Sequence, residues 1–185
     1  MTLTLEQMLT HWRRALGLGA DGNPASVEVV EDAVTTESLV TGMRRWYLDL
    51  LDNAPLKHLC TTDVTDSARL EQDSDGLSVL TLPANVRRVV SLTVNGRRRC
   101  PDKDESRRMM LHTFVANPYA RRAPDNAAVM ATDRPDTLEI FCTGKPVVSK
   151  IIAVADPGDE LFSFDESALS LLPCPDSTGQ SFFDM

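Results

Sequence analysis

The stretch Leu80-Thr-Leu-Pro-Ala-Asn-Val-Arg-Arg-Val-Val-Ser-Leu-Thr-Val-Asn-Gly96 decides the fold class, because it joins two strand signals to a hairpin turn. Residues 77–82 and 86–94 follow the two-residue period of β-strands, and a proline separates them. The Asn-Gly pair predicts a tight turn, since both residues accept a positive φ. We therefore predict that residues 97–100 return as the second strand of a hairpin.

A second hairpin is predicted further along the chain. Residues 138–142 and 147–154 have strand patterns and flank Gly144-Lys-Pro146. Between the two hairpins lies a long Arg- and Met-containing stretch with two X-Pro pairs. A long connection inside a compact domain is usually functional or bound to a partner.

Helical patterns lie on both sides of these strands. Thr4-Leu-Glu-Gln7 has the pattern of a capping box, and apolar residues follow at helical spacing up to residue 16. Residues 26–52 form a second helical region with a break near 35–36. Within it, residues 27–34 fit a helix or a strand, and we favour the helix. Residues 164–172 predict a short C-terminal helix that ends at the following proline.

These patterns predict an α+β fold. N-terminal helices pack with an antiparallel β-sheet or a small β-sandwich built from hairpins, followed by a short C-terminal helix and an extended tail. We divide the chain into a helical region (1–55), a β-rich region with a long Arg-rich connection (56–155), and a short helix with an acidic arm (156–185). Together they make one domain plus an arm. A hydrophobic fraction of 42% in 185 residues is enough for a core.

The composition excludes several classes of protein. No apolar run approaches the roughly 20 residues of a membrane span, and the N-terminus lacks the pattern of a secretory signal. We therefore expect the chain to work in the cytosol or in something assembled there. The cysteines are widely spaced and form no C-x-x-C pair, so reduced thiols fit better than a zinc site or disulfides. These cysteines are Cys60, Cys100, Cys142 and Cys174.

No pattern of catalytic residues is present in the sequence. The phosphate loop, G-x-G-x-x-G, H-E-x-x-H and G-x-S-x-G motifs do not occur, and the three histidines are far apart. Asp73-Ser-Asp-Gly76 lacks the glutamate that completes a calcium loop, so it predicts a turn. We interpret the carboxylates of residues 63–75 as an exposed acidic loop. No catalytic residue, metal ligand or cofactor is predicted, and the chain is not expected to be an enzyme.

Charge is divided unevenly along the chain, whose formal net charge is −8. Residues 87–122 contain ten Lys or Arg and three acids, whereas residues 156–185 contain seven acids and no Lys or Arg. Such asymmetry can attract another copy or steer a partner, although an ordinary solvated surface also fits. The predicted subunit or partner contacts are Arg97, Arg98, Arg99, Arg107, Arg108, Arg121, Arg122, Phe182 and Phe183.

The same arginines leave a second function open. They could contact phosphates, so a small nucleic-acid-binding or regulatory module that uses residues 87–122 is the alternative. No nucleic-acid-binding motif accompanies them, stacking aromatics are few, and the whole chain is acidic.

Three phrases in the sequence resemble the head-to-tail connector proteins of tailed bacteriophages, of the neck or tail-tubular adaptor type. The first is the stretch quoted above, and the second is Ala116-Asn-Pro-Tyr-Ala-Arg121 followed by the strand at 138–141. The third, Phe164-Asp-Glu-Ser-Ala-Leu-Ser-Leu-Leu172, resembles the closing helix, and a helical pair precedes all three. The chain departs from the family at Pro173 and Pro175, which cut this helix off.

The resemblance implies a structural virion protein that forms a ring of about twelve copies by head-to-tail contacts that close by rotation. The ring would dock between the portal protein and the tail or further neck proteins, and it would surround the DNA channel. Contact with the genomic DNA would be non-specific, and no membrane, cofactor or catalytic residue is implied. The protein would be part of the virion, assembled in the host cytoplasm.

Overall fold

The structure is a computed structural model, and it describes residues 1–17, 36–74, 76–117 and 119–173. Its α-helices in this part of the chain are α1 (Leu5–Ala15), α2 (Thr36–Asn53) and α3 (Glu105–Val115). Its strands are β1 (Thr2–Thr4), β2 (Thr62–Asp63), β3 (Arg69–Ser74), β4 (Gly76–Thr81), β5 (Val86–Val94), β6 (Arg97–Arg99), β7 (Ala128–Ala131), β8 (Thr137–Cys142), β9 (Val148–Ala155) and β10 (Leu161–Ser163). Helices and antiparallel sheets occur together, which confirms the predicted α+β class.

The chain folds into two compact units. Met1–Cys60 and Pro157–Met185 make up one, which we call the terminal unit, and Thr61–Asp156 makes up the other, which we call the β unit. β2 pairs with the C-terminal half of β9, with Thr62 opposite Ala153, so the two ends of the β unit lie side by side. The β unit is therefore an insertion in the sequence of the terminal unit.

In the terminal unit, α1 begins with the predicted capping box. Thr4 Oγ1 accepts a hydrogen bond from Gln7 N at 3.4 Å, and Gln7 Oε1 accepts one from Thr4 N at 3.0 Å. These bonds satisfy amide groups that a helix N-terminus otherwise leaves unpaired. Met8 and Trp12 are buried on one face of the helix, and the predicted helix over residues 4–16 is confirmed.

The second predicted helical region is confirmed over α2, while residues 26–35, including 27–34, lie outside the described part of the chain. Tyr47 is fully buried at the centre of the face that α2 presents to the core of this unit. Its hydroxyl accepts a hydrogen bond from Ser163 N at 2.9 Å and donates one to Ser163 O at 3.2 Å. A buried hydroxyl requires such partners, so this pair anchors α2 to β10.

The terminal unit joins the two ends of the described chain. β1 pairs with β10 in antiparallel register, with Leu3 opposite Phe162, and the Met1 amino group donates to Phe164 O at 2.7 Å. The helix predicted over residues 164–172 is present as a 3-10 helix at Glu166–Leu171. The sequence pattern did not indicate β10.

The β unit is a β-sandwich, the second of the two arrangements that the sequence left open. One sheet has the strand order β2-β9-β5-β6 and the other β3-β4-β8-β7, and every pairing is antiparallel. Inward side chains from both sheets form one buried core, as antiparallel sheets with one solvated face require. The buried core residues are Val64, Leu80, Leu82, Val86, Leu92, Val94, Ala127, Val129, Leu138, Ile140, Cys142, Ile151 and Ala153.

The first predicted hairpin is confirmed. β5 spans the predicted residues and pairs with β6, with Val94 opposite Arg97. Asn95 has φ +50° and Gly96 has φ +75°, the signs that a primed turn needs at both central positions.

The second predicted hairpin is wrong. β8 pairs with β4 and β7, whereas β9 pairs with β5 and β2, so the two strands belong to different sheets. The Gly144-Lys-Pro146 segment turns the chain, but it crosses from one sheet to the other. A turn signal is local and does not specify the pairing of the strands it joins, which depends on the packing of distant strands.

The stretch between the predicted hairpins is not one long connection, because its residues form α3, a 3-10 turn at Pro124–Asn126 and β7. Leu111 of α3 is buried against Phe141 and Met130 on the outer face of the sheet that contains β7 and β8. The helical period is hard to detect in the sequence because several apolar residues of α3 are exposed.

Candidate interaction surface

One side of the sandwich brings together the β6 edge of one sheet and the β7 edge of the other. β6 continues into residues 100–103, where Asp102 forms a parallel bridge with Met130 of β7. Asp102 N donates to Val129 O at 2.9 Å, and Ala131 N donates to Asp102 O at 2.8 Å. The chain therefore passes directly from one sheet edge to the other and places its arginines along this side.

A groove of about 260 Å³ opens along the same side and is bordered by four predicted contact arginines. Arg98 and Arg99 belong to β6, Arg107 to the first turn of α3, and Arg122 to the loop before the 3-10 turn. Among the described residues that line it, Asp102 is the one carboxylate. We call this feature the arginine groove.

Asp102 compensates one of the four charges. Its carboxylate forms an ion pair with the Arg107 guanidinium. The backbone N–H of Asp104 and this guanidinium lower the pKa of Asp102, so the carboxylate stays ionised at neutral pH. Asp104 also caps α3, because its side chain accepts hydrogen bonds from Ser106 N and Arg107 N.

The other three arginines of the groove are paired with no carboxylate of the described chain. Arg99 Nη2 donates to Asp125 O at 2.9 Å, and Arg122 Nη1 donates to Asn126 O at 3.5 Å. These carbonyls accept hydrogen bonds without cancelling a charge. Arg98 is exposed, and its side chain makes no hydrogen bond or ion pair with a described residue. The groove therefore has three uncompensated positive charges.

Other predicted contact residues are already used within the β unit. Arg97 forms an exposed ion pair with Asp125 at 3.6 Å, and Arg108 pairs with Glu105 at 2.9 Å. Two predicted contact residues lie outside the described part of the chain: Phe182 and Phe183.

The Arg121 side chain packs within the β unit and does not face the arginine groove. Its Nε donates to Val115 O at 2.8 Å and so satisfies a carbonyl at the C-terminal end of α3. A Cβ built on Gly76 would lie 3.2 Å from Arg121 Cδ, so the side chain packs closely on the start of β4. We therefore do not count Arg121 as part of the groove.

The opposite side of the sandwich is acidic. β2 leads through the 3-10 turn at Thr65–Ser67 into β3, so these two edge strands lie together on that side. The predicted exposed carboxylates are exposed, but they belong to β2, this turn and β3 and do not form the predicted loop. We call this feature the acidic edge, and its carboxylates are Asp63, Asp66, Glu71 and Asp73. The predicted turn at 73–76 joins β3 to β4 as a hairpin, with residue 75 outside the described part.

The carboxylates of the acidic edge have defined local partners. Asp63 Oδ1 accepts hydrogen bonds from Thr65 Oγ1 at 2.5 Å and from Thr65 N at 3.0 Å, and both bonds lower the pKa of Asp63. On β3, Glu71 pairs with the exposed Arg69 at 2.7 Å. Arg69 is the one base between residues 61 and 74, so this edge stays negative.

The sequence pattern missed an apolar surface on α3. Met109 is 64% exposed, Met110 46% and Phe114 37%, and Tyr119 just beyond the helix is 98% exposed. Met110 and Phe114 lie three and seven positions after Arg107, on the same stripe of the helix, so apolar area adjoins the arginine groove. In the sequence, the methionines between the two predicted hairpins were the one sign of this apolar surface.

A second groove, of about 300 Å³, lies on the β unit and contains both signs of charge. Its lining includes two acids, Glu105 and Asp133, and four bases: Arg87, Arg88, Lys103 and Arg134. Arg134 also pairs with Asp136 at 3.1 Å. With two acids in its lining and Arg134 paired with Asp136, this groove is a weaker candidate for an anionic partner than the arginine groove.

In the terminal unit, a His-Ser-Asp arrangement resembles a catalytic triad but has the wrong order. His58 Nδ1 lies 2.8 Å from Ser167 Oγ, and Ser167 Oγ donates to Asp165 Oδ1 at 2.7 Å. A nucleophilic serine needs the histidine as its proton acceptor, whereas here the hydroxyl proton points to the carboxylate. Asp165 also accepts from Ser167 N at 3.0 Å, so the arrangement is a cap of the 3-10 helix.

Other chemistry is sparse in the described residues. No group of three or more His, Cys, Asp or Glu side chains is arranged there to hold a metal ion. Cys60, Cys100 and Cys142 are free thiols, and Cys174 lies outside that part. Burial raises the pKa of the Cys142 thiol, which makes it a poor nucleophile. No described helix is long and apolar enough to cross a membrane.

A scan of protein-family models and a search of curated proteins each found no match to this chain.

Proposed function

We propose that this chain is a structural subunit of the connector between the head and the tail of a tailed bacteriophage. In this proposal, copies form a ring around the DNA channel and bind neither substrate nor cofactor. The ring docks on the portal protein and receives the tail or further neck proteins. The protein acts by binding its neighbours and has no catalytic step. It is incorporated into the virion after assembly in the host cytoplasm.

The observation that carries this proposal is the division of charge between opposite edges of the β unit. A ring of identical subunits requires two different surfaces on each copy, because every contact is head-to-tail. The arginine groove and the acidic edge are two such surfaces of opposite sign on opposite sides of one sandwich. The resemblance of the sequence to connector proteins supports the same function independently.

The exposed side chains of α3 add to this support. Large apolar side chains on the surface of a protein commonly mark a contact with another protein. Met110 and Phe114 lie on the same helix stripe as Arg107 of the groove, so apolar and charged groups adjoin here as they do in protein interfaces.

The test is co-assembly with the portal protein encoded in the same genome. Both proteins are purified, mixed and examined by negative-stain electron microscopy and by sedimentation. We expect density for this chain as an added ring at one end of the portal particle. Absence of binding to the portal at micromolar concentrations of both proteins would contradict the proposal.

A second candidate function is binding to nucleic acid, which the three uncompensated arginines of the groove favour. A filter-binding titration with a short DNA duplex at several salt concentrations tests it. Affinity that falls steeply with salt and is lost in the Arg98→Ala, Arg99→Ala, Arg122→Ala triple variant would support this candidate over the connector.

A further inference from the structure

We propose that the acidic edge of one copy binds in the arginine groove of a second copy. This inference names the two surfaces that meet, and it rests on the proposed function only in requiring that copies associate. It commits to a protein partner, a second copy of this chain, and leaves binding of nucleic acid to the groove as an outcome of the test.

The groove offers positive charge that the same copy does not use. The Arg98 side chain makes no hydrogen bond or ion pair with a described residue, and the side chains of Arg99 and Arg122 donate only to backbone carbonyls there. Arg99 Nε is buried and has no partner among the described residues. The charge of the Arg99 guanidinium is therefore not neutralised by a carboxylate of the same copy.

The acidic edge has exposed carboxylates that a guanidinium group of another copy can bind. β3 is an edge strand with an open side, and Asp73 lies at an irregularity of its pairing with β4, between Gln72 and Ser74. Leu70 packs against the core, so the neighbouring Glu71 points to the opposite face of the strand, and both Glu71 and Asp73 are exposed. Planar guanidinium groups bind such carboxylates in bidentate fashion.

The two surfaces cannot meet within one copy. The edge strands β2 and β3 form one side of the sandwich, and β6 and β7 form the other. A rigid partner also cannot cover both sides at once, so each copy needs one neighbour at the groove and another at the acidic edge. The contact is therefore heterologous and generates a closed ring or an open chain.

Charge complementarity also favours a second copy over nucleic acid. The net charge of −8 opposes a polyanion and a second copy alike, so local complementarity between surfaces decides between them. A second copy presents its carboxylates on and beside the short edge strand β3, and its own arginines lie on the far side of the sandwich.

The test uses two charge-reversed variants of the full chain. Arg98→Glu with Arg122→Glu reverses the groove, and Glu71→Arg with Asp73→Arg reverses the acidic edge. Self-association is measured by sedimentation velocity and mass photometry at about 50 mM salt, where ionic contacts between exposed groups are weakly screened. Circular dichroism establishes that each variant is folded.

We expect each variant to associate at least about tenfold more weakly than the wild-type chain, because like charges then face each other at the contact. An equimolar mixture of the two variants should recover association, since each then supplies the surface that the other lacks. A chain with all four substitutions should recover it alone. Arg134→Glu and Asp133→Arg, exposed changes elsewhere on the β unit, serve as matched controls and should associate like the wild type.

Three results would overturn the proposal: a wild-type chain that stays monomeric at 100 µM and about 50 mM salt, reversed variants that associate normally, or weakened variants whose mixture recovers nothing. Weaker binding of a DNA duplex by the groove variant, with normal self-association, would instead assign the groove to nucleic acid. Copies that associate as expected but do not bind the portal would contradict the connector function and leave this contact intact.

Discussion

Asn95 and Val147 are joined by a reciprocal pair of hydrogen bonds. Asn95 N donates to Val147 O at 2.8 Å, and Val147 N donates to Asn95 Oδ1 at 2.8 Å. Asn95 Nδ2 also donates to Pro124 O at 2.7 Å. One turn residue therefore holds the β5-β6 hairpin to the segment that crosses between the sheets and to the turn that precedes β7.

The first prediction concerns the side chain of this residue. Asn95→Gly keeps the positive φ but removes both side-chain hydrogen bonds, so we expect a loss of about 1–3 kcal/mol in the free energy of unfolding. Asn95→Ala should be worse by about a further 1 kcal/mol, because alanine resists φ +50°. Urea unfolding followed by circular dichroism measures both. Equal stability of Asn95→Gly and the wild type would show that the bonds contribute nothing.

The second prediction concerns the neighbouring glycine. Gly96→Val should destabilise the β unit by roughly 1 kcal/mol or more, because a β-branched residue resists φ +75° although no atom within 4 Å blocks a Cβ there. Thr93→Val, in extended strand geometry on β5, is the matched control and should change stability little. Thermal unfolding of the two variants provides the comparison, and similar melting temperatures would refute the strain argument.

The third prediction concerns the terminal unit. Tyr47→Phe removes a buried hydroxyl and leaves Ser163 N and Ser163 O without their partner, which should cost about 1–3 kcal/mol. Both tryptophans of the chain, Trp12 and Trp46, lie in this unit, so tryptophan fluorescence during urea unfolding reports on it selectively. Tyr119→Phe, at a 98% exposed residue, is the control. A Tyr47→Phe midpoint equal to that of the control would contradict the prediction.

The fourth prediction is a loss of stability in acid. Hydrogen bonds from the Ser167 side chain and from Ser167 N lower the pKa of Asp165 below its ordinary value of 3.8. Because the folded pKa is lower than the unfolded one, the stabilisation is present above the ordinary value. It disappears as the pH falls from that value through the folded pKa.

The measurement follows tryptophan fluorescence during urea unfolding between pH 5 and pH 2. Asp165→Asn, which can still accept these hydrogen bonds, should depend less on pH across this range than the wild type. Glu160→Gln, at an exposed carboxylate of the same unit, should keep the wild-type dependence. If the Asp165→Asn curve parallels the wild type, Asp165 is not a source of the acid sensitivity.

Local patterns predicted the elements whose signals lie in adjacent residues. The capping box at Thr4 and Gln7, the bounds of β5 and the turn at Asn95 depend on neighbouring residues only, so a single segment contains the full signal. The sequence pattern did not predict α3, because Met110 and Phe114 are exposed apolar residues that blur the helical period.

By itself, the sequence determined the α+β class, the first hairpin, two helices and the presence of a strongly basic segment. Only the tertiary structure decided that β8 and β9 pair in different sheets and that β1 and β10 pair with each other. It also decided which arginines border one groove, with the carboxylates of β3 on the opposite side. Turn geometry and capping act over a few bonds, whereas strand partners and surface neighbours follow from how distant apolar faces are buried together.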